Sequence, residues 1–238
     1  GAVQITGSHN PPEFNGFKMS MEKKAVFGKD IQTLYHIIDK MDFEEGDGME
    51  TRYKILPKYN QMILDKITIE RPMKVAMDCG NAAAAINGPE VFNLLGVELK
   101  ELFCEPDGTF PNHEANPLLK ENREDLIDEI LKTKSDAGIA WDGDADRCFF
   151  VDGSGEFISG DFITALLAEA FLLKEPGATI IYDVRASYAI KDIVNRYAGT
   201  SLMNRVGHAF FKTRMRKENA IFGGEVTGHY YFRENFFA

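Results

Sequence analysis

Short apolar runs alternate with amphipathic stretches over most of the chain, and their order predicts its elements. Near the N-terminus AVQIT (2–6) and FKMSM (17–21) read as strands, and a helix is expected over 30–41 with Ile31, Leu34, Ile37 and Ile38 on one face. EEGDGMETR (44–52) is acidic, contains glycine and lacks periodicity, which predicts a linker and a domain boundary. MKVAMDC (73–79) then reads as a strand, GPEVFNLLG as a helix ended by Gly96, VELKELF as a strand and PLLKENREDLIDEILKT as an amphipathic helix. SDAGIAWDGDADRCFFVD gives strand, acidic loop, strand. After Gly153 the pattern restarts: helix 160–173, strand 178–184, helix 187–196, strand 200–204, helix 208–218, strand 220–223, and the loop GEVTGH before YYF. Short strands spaced by helical segments predict an α/β protein of consecutive mixed-sheet domains. The expected division is 1–50, 51–154 and 155–238.

Composition narrows the function. At 238 residues and 44% hydrophobic, the chain has the makings of packed globular domains, and its net charge of -10 argues against nucleic acid or an anionic membrane as partner. Any phosphate must be held by a local pocket. Cys79, Cys104 and Cys148 form no CxxC pair, which suggests buried thiols in a reducing cytoplasm. The longest apolar run, FITALLAEAFLL, is too short to span a bilayer and carries Glu169; it reads as a buried helix.

Three loops could carry chemistry. In DGDADR (142–147) an extended backbone would put Asp142, Asp144 and Asp146 on one side, and three like charges call for a hard divalent cation. An EF-hand fits poorly, because Arg147 and Gly153 stand where that loop needs Gly and Glu. An acidic solvated turn accounts for a bare DxDxD equally well, although Arg147 beside it suits a phosphate on the metal. In the opening loop, Ser8 follows a strand, flanked by Gly7 and His9 and fixed by Asn10-Pro11-Pro12. A rigid exposed loop suits a nucleophile; a turn serine is the plainer alternative. In GEVTGH (224–229), Glu225, Thr227 and His229 alternate in a spacing that could grip adjacent sugar hydroxyls, or form an ordinary polar turn. Arg185 at a strand end and His208 at a helix start complete the candidates.

With these residues together, the chain resembles the α-D-phosphohexomutase family, most closely its bacterial phosphomannomutase/phosphoglucomutase branch. TGSHNPPEFNGFK resembles the phosphoserine loop, DGDADR the metal loop and GEVTGH the sugar-recognition loop, in the family's order; PDGTFPNHEANP (106–117) resembles a segment of the second domain. The resemblance implies a phosphoserine at Ser8, Mg²⁺ held by Ser8, Asp142, Asp144 and Asp146, and transfer through a bound hexose 1,6-bisphosphate. It further implies catalytic roles for His9, Lys18 and Arg147, with Lys18 as general base if nearby positive charge depresses its pKa. Glu225, Thr227, His229, Arg185 and His208 would contact a sugar phosphate, the expected small-molecule partner of a cytoplasmic isomerase.

Two local departures are visible: Thr227 stands where the branch usually has serine, and GNAAAA (80–85) replaces a more glycine-rich turn. The resemblance also implies four domains, so the first is expected to lack its start and the fourth to be absent. Phosphoglucosamine mutase is the nearest rival, disfavoured by Val226 where that branch tends to have glutamine. A non-catalytic sugar-phosphate binding module is the alternative from another class.

Overall fold

The computed structural model describes residues 1–11, 13–22 and 24–237; Pro12 of the opening loop therefore lies outside the described residues. Three sheets carry the chain. The first is an antiparallel hairpin of β1 (Ala2–Ile5) and β2 (Phe17–Met21) with the short β3 (Lys24–Ala25) on its edge. Ile5 pairs with Phe17, and the Thr6 N–H donates to the Gly16 carbonyl at 2.9 Å, so the stem closes directly beneath the Ser8 loop. Lys18 faces Gln4 across this stem. The hairpin explains the ten-residue separation of Ser8 and Lys18: the chain leaves along one strand and returns along the other.

Helix α1 (Lys29–Asp39) follows, with none of its residues buried. Residues 42–55 form neither helix nor strand, as the acidic composition suggested. Helix α2 (Leu56–Leu64), which begins at a favourable first-turn proline, was not anticipated from the pattern.

The second sheet has the order β5-β4-β6-β7-β8. Strands β4 (Lys74–Asp78), β5 (Glu98–Leu102) and β6 (Ala137–Trp141) are parallel, and β7 (Cys148–Asp152) and β8 (Phe157–Ile158) add antiparallel strands. Helices α3 (Gly88–Leu94) and α4 (Glu124–Thr133) make the crossovers. Leu126 and Ile130 of α4 are fully buried against Ala76, Ala140 and Val151, which is the core on one face of this sheet. The helix expected from Pro117 begins as a 3₁₀ turn at Glu121–Arg123 and becomes an α-helix at Glu124. Buried Arg123 accounts for this, because its guanidinium donates to the Pro117 and Leu118 carbonyls and sits 3.9 Å over the Phe157 ring, occupying acceptors a helix would need.

The third sheet, β10-β9-β11-β12, contains β9 (Thr179–Asp183), β10 (Thr200–Asn204), β11 (Phe222–Gly224) and β12 (Tyr230–Phe232). Around it pack α5 (Gly160–Lys174), α6 (Tyr188–Arg196) and α7 (His208–Glu218). Helix α5 buries Ile163, Ala165, Ala168 and Leu172 but exposes Phe162, Leu166 and Leu173, so the apolar run is a half-buried helix rather than a fully buried one. Among the described residues no helix is long and apolar enough to cross a membrane.

Candidate active site

The three loops singled out in the sequence meet. The turn at Ser8 is closed by the Asn10 N–H donating to the Gly7 carbonyl at 3.0 Å, and Ser8 itself takes a left-handed φ of 54°. Its N–H donates to the Thr6 Oγ1 at 2.8 Å, which holds that conformation and aims the hydroxyl inward. The Ser8 Oγ lies 3.2 Å from both Asp142 Oδ2 and Asp144 Oδ1 and 3.1 Å from His9 Nδ1. Thr6 Oγ1 also donates to Asp144 Oδ2 at 2.9 Å, a contact the sequence reading missed.

The aspartates converge by a different route from the extended one expected. β6 and β7 are antiparallel neighbours, so the six residues between them must reverse direction. The Ala145 N–H donates to the Asp142 carbonyl at 3.0 Å, and Ala145 is left-handed at φ 58°. The turn still brings carboxylate oxygens of Asp142, Asp144 and Asp146 within 4.8 Å of one another. Gly143 is required in it: a Cβ there would lie 2.0 Å from the Ser8 carbonyl oxygen.

Charge in this cluster is neutralised from two directions. Arg147, 7% exposed, donates from its N–H to Asp142 Oδ1 at 3.1 Å, from Nε to Asp142 Oδ2 at 2.8 Å, and from Nη2 to Ser8 Oγ at 3.2 Å; Nη2 also contacts His9 Nδ1. Burial raises the Asp142 carboxyl above its ordinary value despite the guanidinium. Lys18 Nζ donates to Asp144 Oδ2 and Asp146 Oδ2, both at 2.6 Å. Burial acts to lower the lysine, but the two carboxylates outweigh it and hold it above its usual value. The positive neighbours that a depressed Lys18 would require are therefore replaced here by carboxylates, and in this arrangement Lys18 is a cation.

The sugar-loop candidates reach the same place. His229 Nε2 is 3.1 Å from Asp146 Oδ1 and its Nδ1 is 2.9 Å from Glu225 Oε2. Burial disfavours its charge, yet the two carboxylates lift its pKa to about 9. Burial likewise acts to raise Asp146, and the His229 and Lys18 contacts reverse this and hold it well below the usual range. Glu225 is only 1% exposed and is engaged on both oxygens, accepting from the Gly207 N–H at 2.9 Å and the Tyr231 hydroxyl at 2.8 Å. Its position makes it a brace of the loop. Thr227 Oγ1 lies 3.5 Å from His229 Nδ1 and 3.4 Å from Arg185 Nη2.

Arg185 is held by buried Asp183, whose carboxylate accepts Nη2 at 2.8 Å and also the Val226 N–H at 2.8 Å. Asp183 thus fixes Arg185 and the GEVTGH loop together; its place at the end of an apolar strand, two residues before an arginine, was the available signal. His208 begins α7 and is pushed below its usual value by burial. Lys212, one turn further on the same face, was not singled out. Burial lowers its ammonium pKa as well, with Arg216 and Lys18 acting in the same direction against Asp146.

Comparison with known proteins bears on the family and fold. The sequence profiles described as "Phosphoglucomutase/phosphomannomutase, alpha/beta/alpha domain" I, II and III match residues 1–45, 57–155 and 159–237. A phosphomannomutase/phosphoglucomutase of Pseudomonas aeruginosa is 38% identical over 235 residues, covering 99% of this chain and 51% of the relative. A phosphomannomutase of Vibrio cholerae is 43% identical, covering 98% and 53%. The crystal structure of a phosphoglucomutase/phosphomannomutase family protein from Burkholderia thailandensis superposes with a TM-score of 0.95 at 39% identity, covering 98% of this chain and 51% of that one. A crystal structure from Thermus thermophilus, at 19% identity and a TM-score of 0.81, shares the fold. The chain spans about half the length of the curated relatives it matches. With matches of this extent and identity, the chain belongs to the phosphoglucomutase/phosphomannomutase family of α-D-phosphohexomutases.

Proposed function

We propose that the chain is the catalytic segment of a phosphohexomutase that interconverts hexose 1-phosphates and hexose 6-phosphates of the mannose or glucose series. Ser8 carries the phosphoryl group and a hexose 1,6-bisphosphate is the intermediate. The observation that carries the reading is the Ser8 hydroxyl, held in a strained turn 3.2 Å from two of three clustered aspartates and 3.2 Å from a buried arginine. A turn serine alone needs no such surroundings. The names of the relatives supply the substrate class.

The donor set fits Mg²⁺: hard oxygens of Asp142, Asp144, Asp146 and Ser8 converge, and the Lys18 ammonium already lies against two of them, as a cation drawn to that field would. When bound, the ion supplies neutralisation of charge on the phosphoryl oxygens. The chain's residues do the rest. In the first transfer the bond between phosphorus and Ser8 Oγ breaks as a sugar hydroxyl oxygen attacks in line, with Arg147 donating to the oxygen of Ser8 that takes up the leaving charge. The hydroxyl's proton passes to a nearby base, and His9 and Lys18 are the groups at hand. Lys18 accepts it only when its two carboxylate partners are engaged elsewhere. In the second transfer the other phosphate of the intermediate returns to Ser8. Thr227 and His229, braced by Glu225, meet the sugar hydroxyls, and Arg185 and His208 flank them. The same reading places the reaction in the cytoplasm.

Incubation of the chain with glucose 1,6-bisphosphate tests this by intact mass. Gain of one phosphoryl group, mapped to Ser8 and absent in Ser8→Ala, is the expected result. Binding without transfer would reduce the chain to a sugar-phosphate binding module.

A further inference from the structure

Cys79 and Cys104 lie outside the phosphoryl-transfer loops, and their sulfurs are 3.2 Å apart. The backbone accounts for the meeting. β4 and β5 run parallel with Asp78 opposite Leu102, and the Cys79 N–H extends the ladder to the Leu102 carbonyl at 3.1 Å. Phe103 then takes a left-handed φ of 52°, which turns Cys104, one residue past the register, back onto Cys79. The Asn81 N–H donates to the Phe103 carbonyl and the Asn81 side-chain amide to the Glu105 carbonyl, each at 2.8 Å, so the chain is clamped on both sides of Cys104. Cys79 has no exposure, whereas Cys104 is partly exposed.

We propose that Cys79 and Cys104 form a peroxide-oxidisable dithiol, in which Cys104 attacks the peroxide and Cys79 resolves the product into a disulfide. The Cys104 thiolate sulfur attacks one oxygen of hydrogen peroxide. The O–O bond breaks, and the departing hydroxide takes the thiol's proton and leaves as water. The resulting sulfenic acid is displaced by Cys79 sulfur: the S–S bond forms, the S–O bond breaks, and hydroxide with the Cys79 proton makes the second water. The two thiols together lose two electrons and one peroxide becomes two waters; a dithiol reductant reverses the change.

The order of attack follows from the environment of each sulfur. The contact between the two sulfurs draws the Cys104 thiol below its ordinary value, against burial and the carboxylates of Glu101 and Asp78. The same contact, with burial, pushes Cys79 up. Thiolate character and access therefore fall on the same residue, Cys104. Closing the sulfurs from 3.2 Å to a bond of about 2.05 Å draws on the turn after Cys79, whose Ala83 N–H donates to the Gly143 carbonyl in the aspartate loop.

The test treats the full chain with a small excess of hydrogen peroxide and reads intact mass and tryptic peptides. Loss of two hydrogens, with peptide 75–100 joined to peptide 101–120 and released by dithiothreitol, is expected. In Cys79→Ser the dimedone adduct of a sulfenic acid should accumulate at Cys104, and Cys104→Ser should consume peroxide at least tenfold more slowly. Conversion of Cys104 to its sulfinic acid with no cross-link, or a bond from either cysteine to Cys148, would overturn the proposal. Should Cys79→Ser fail to fold, the peptide map of the unsubstituted chain and the Cys104→Ser rate decide it alone. None of these readouts depends on mutase activity.

Discussion

Glu225 carries the clearest consequence of a single residue. Its carboxylate joins the start of α7, the middle of β12 and His229 by hydrogen bonds in a site of 1% exposure. Glu225→Gln keeps the shape but replaces one acceptor oxygen with a donor facing donors. A loss of about 1.5–3 kcal/mol in urea unfolding is expected, the range for hydrogen bonds to a charged group, together with weaker binding of any sugar phosphate by calorimetry. A pH effect belongs to His113. Its Nε2 lies 3.0 Å from buried Asp78 and its Nδ1 2.9 Å from the Glu114 carbonyl, with the Phe103 ring edge-on at 5.2 Å. The Asp78 hydrogen bond raises its pKa above 6.5, with burial opposing and Asp125 adding a smaller attraction. This stabilisation is complete below about pH 6.5 and fades as pH rises through the higher folded value. The stability difference between the natural chain and His113→Gln should therefore be larger at pH 6 than at pH 9; an unchanged difference would show that the pair does not titrate.

Elements were more legible than the contacts between them. The strands and most helices follow from periodicity because a packed sheet forces it. PLLK failed as a helix because Arg123 spends its donors on the Pro117 and Leu118 carbonyls, a tertiary choice driven by its seat over Phe157. The loop motifs were legible only in combination, because an acidic turn and a Ser-His pair each have a plainer reading when taken alone. Thr6 and Asp183 were less so, since each ties a near neighbour, Ser8 or Arg185, to a distant loop through Asp144 or Val226. The glycines are of the same kind. Gly160 opens α5, and a Cβ there would stand 2.4 Å from the Val226 carbonyl oxygen, which the fixed Asp183 contact prevents from yielding. Gly160→Ala should cost about 1–3 kcal/mol by overpacking and shift GEVTGH outward. The measurement is unfolding combined with sugar-phosphate affinity, and loss of stability without loss of affinity would mean that the helix, and not the loop, moves.

At the scale of the whole molecule, the three sheets are joined near the aspartate cluster. Lys18 comes from the first, Asp142, Asp144 and Asp146 from the loop of the second, and His229 from the third, while the Cys148 N–H donates to the Gly228 carbonyl at 2.9 Å. A cation is thus part of what holds the sheets together, and Lys18 fills that part here. A divalent ion entering the cluster must displace the ammonium from Asp144 and Asp146. Mg²⁺ should stabilise the chain by mass action, by about 2.7 kcal/mol at a hundred times its Kd. In Lys18→Met no ammonium competes, and Asp144 loses its cation while Arg147 and His229 still face Asp142 and Asp146. That variant should therefore unfold at a lower temperature in EDTA, yet gain more from Mg²⁺ and reach half its gain at a lower concentration. Asp144→Asn removes one of the three clustered carboxylates and should abolish the gain in both backgrounds. Thermal unfolding across a Mg²⁺ series reads all of these without any turnover. An equal gain in the natural chain and in Lys18→Met would mean that lysine and ion occupy different places, and the cluster would then be two sites where the geometry indicates one.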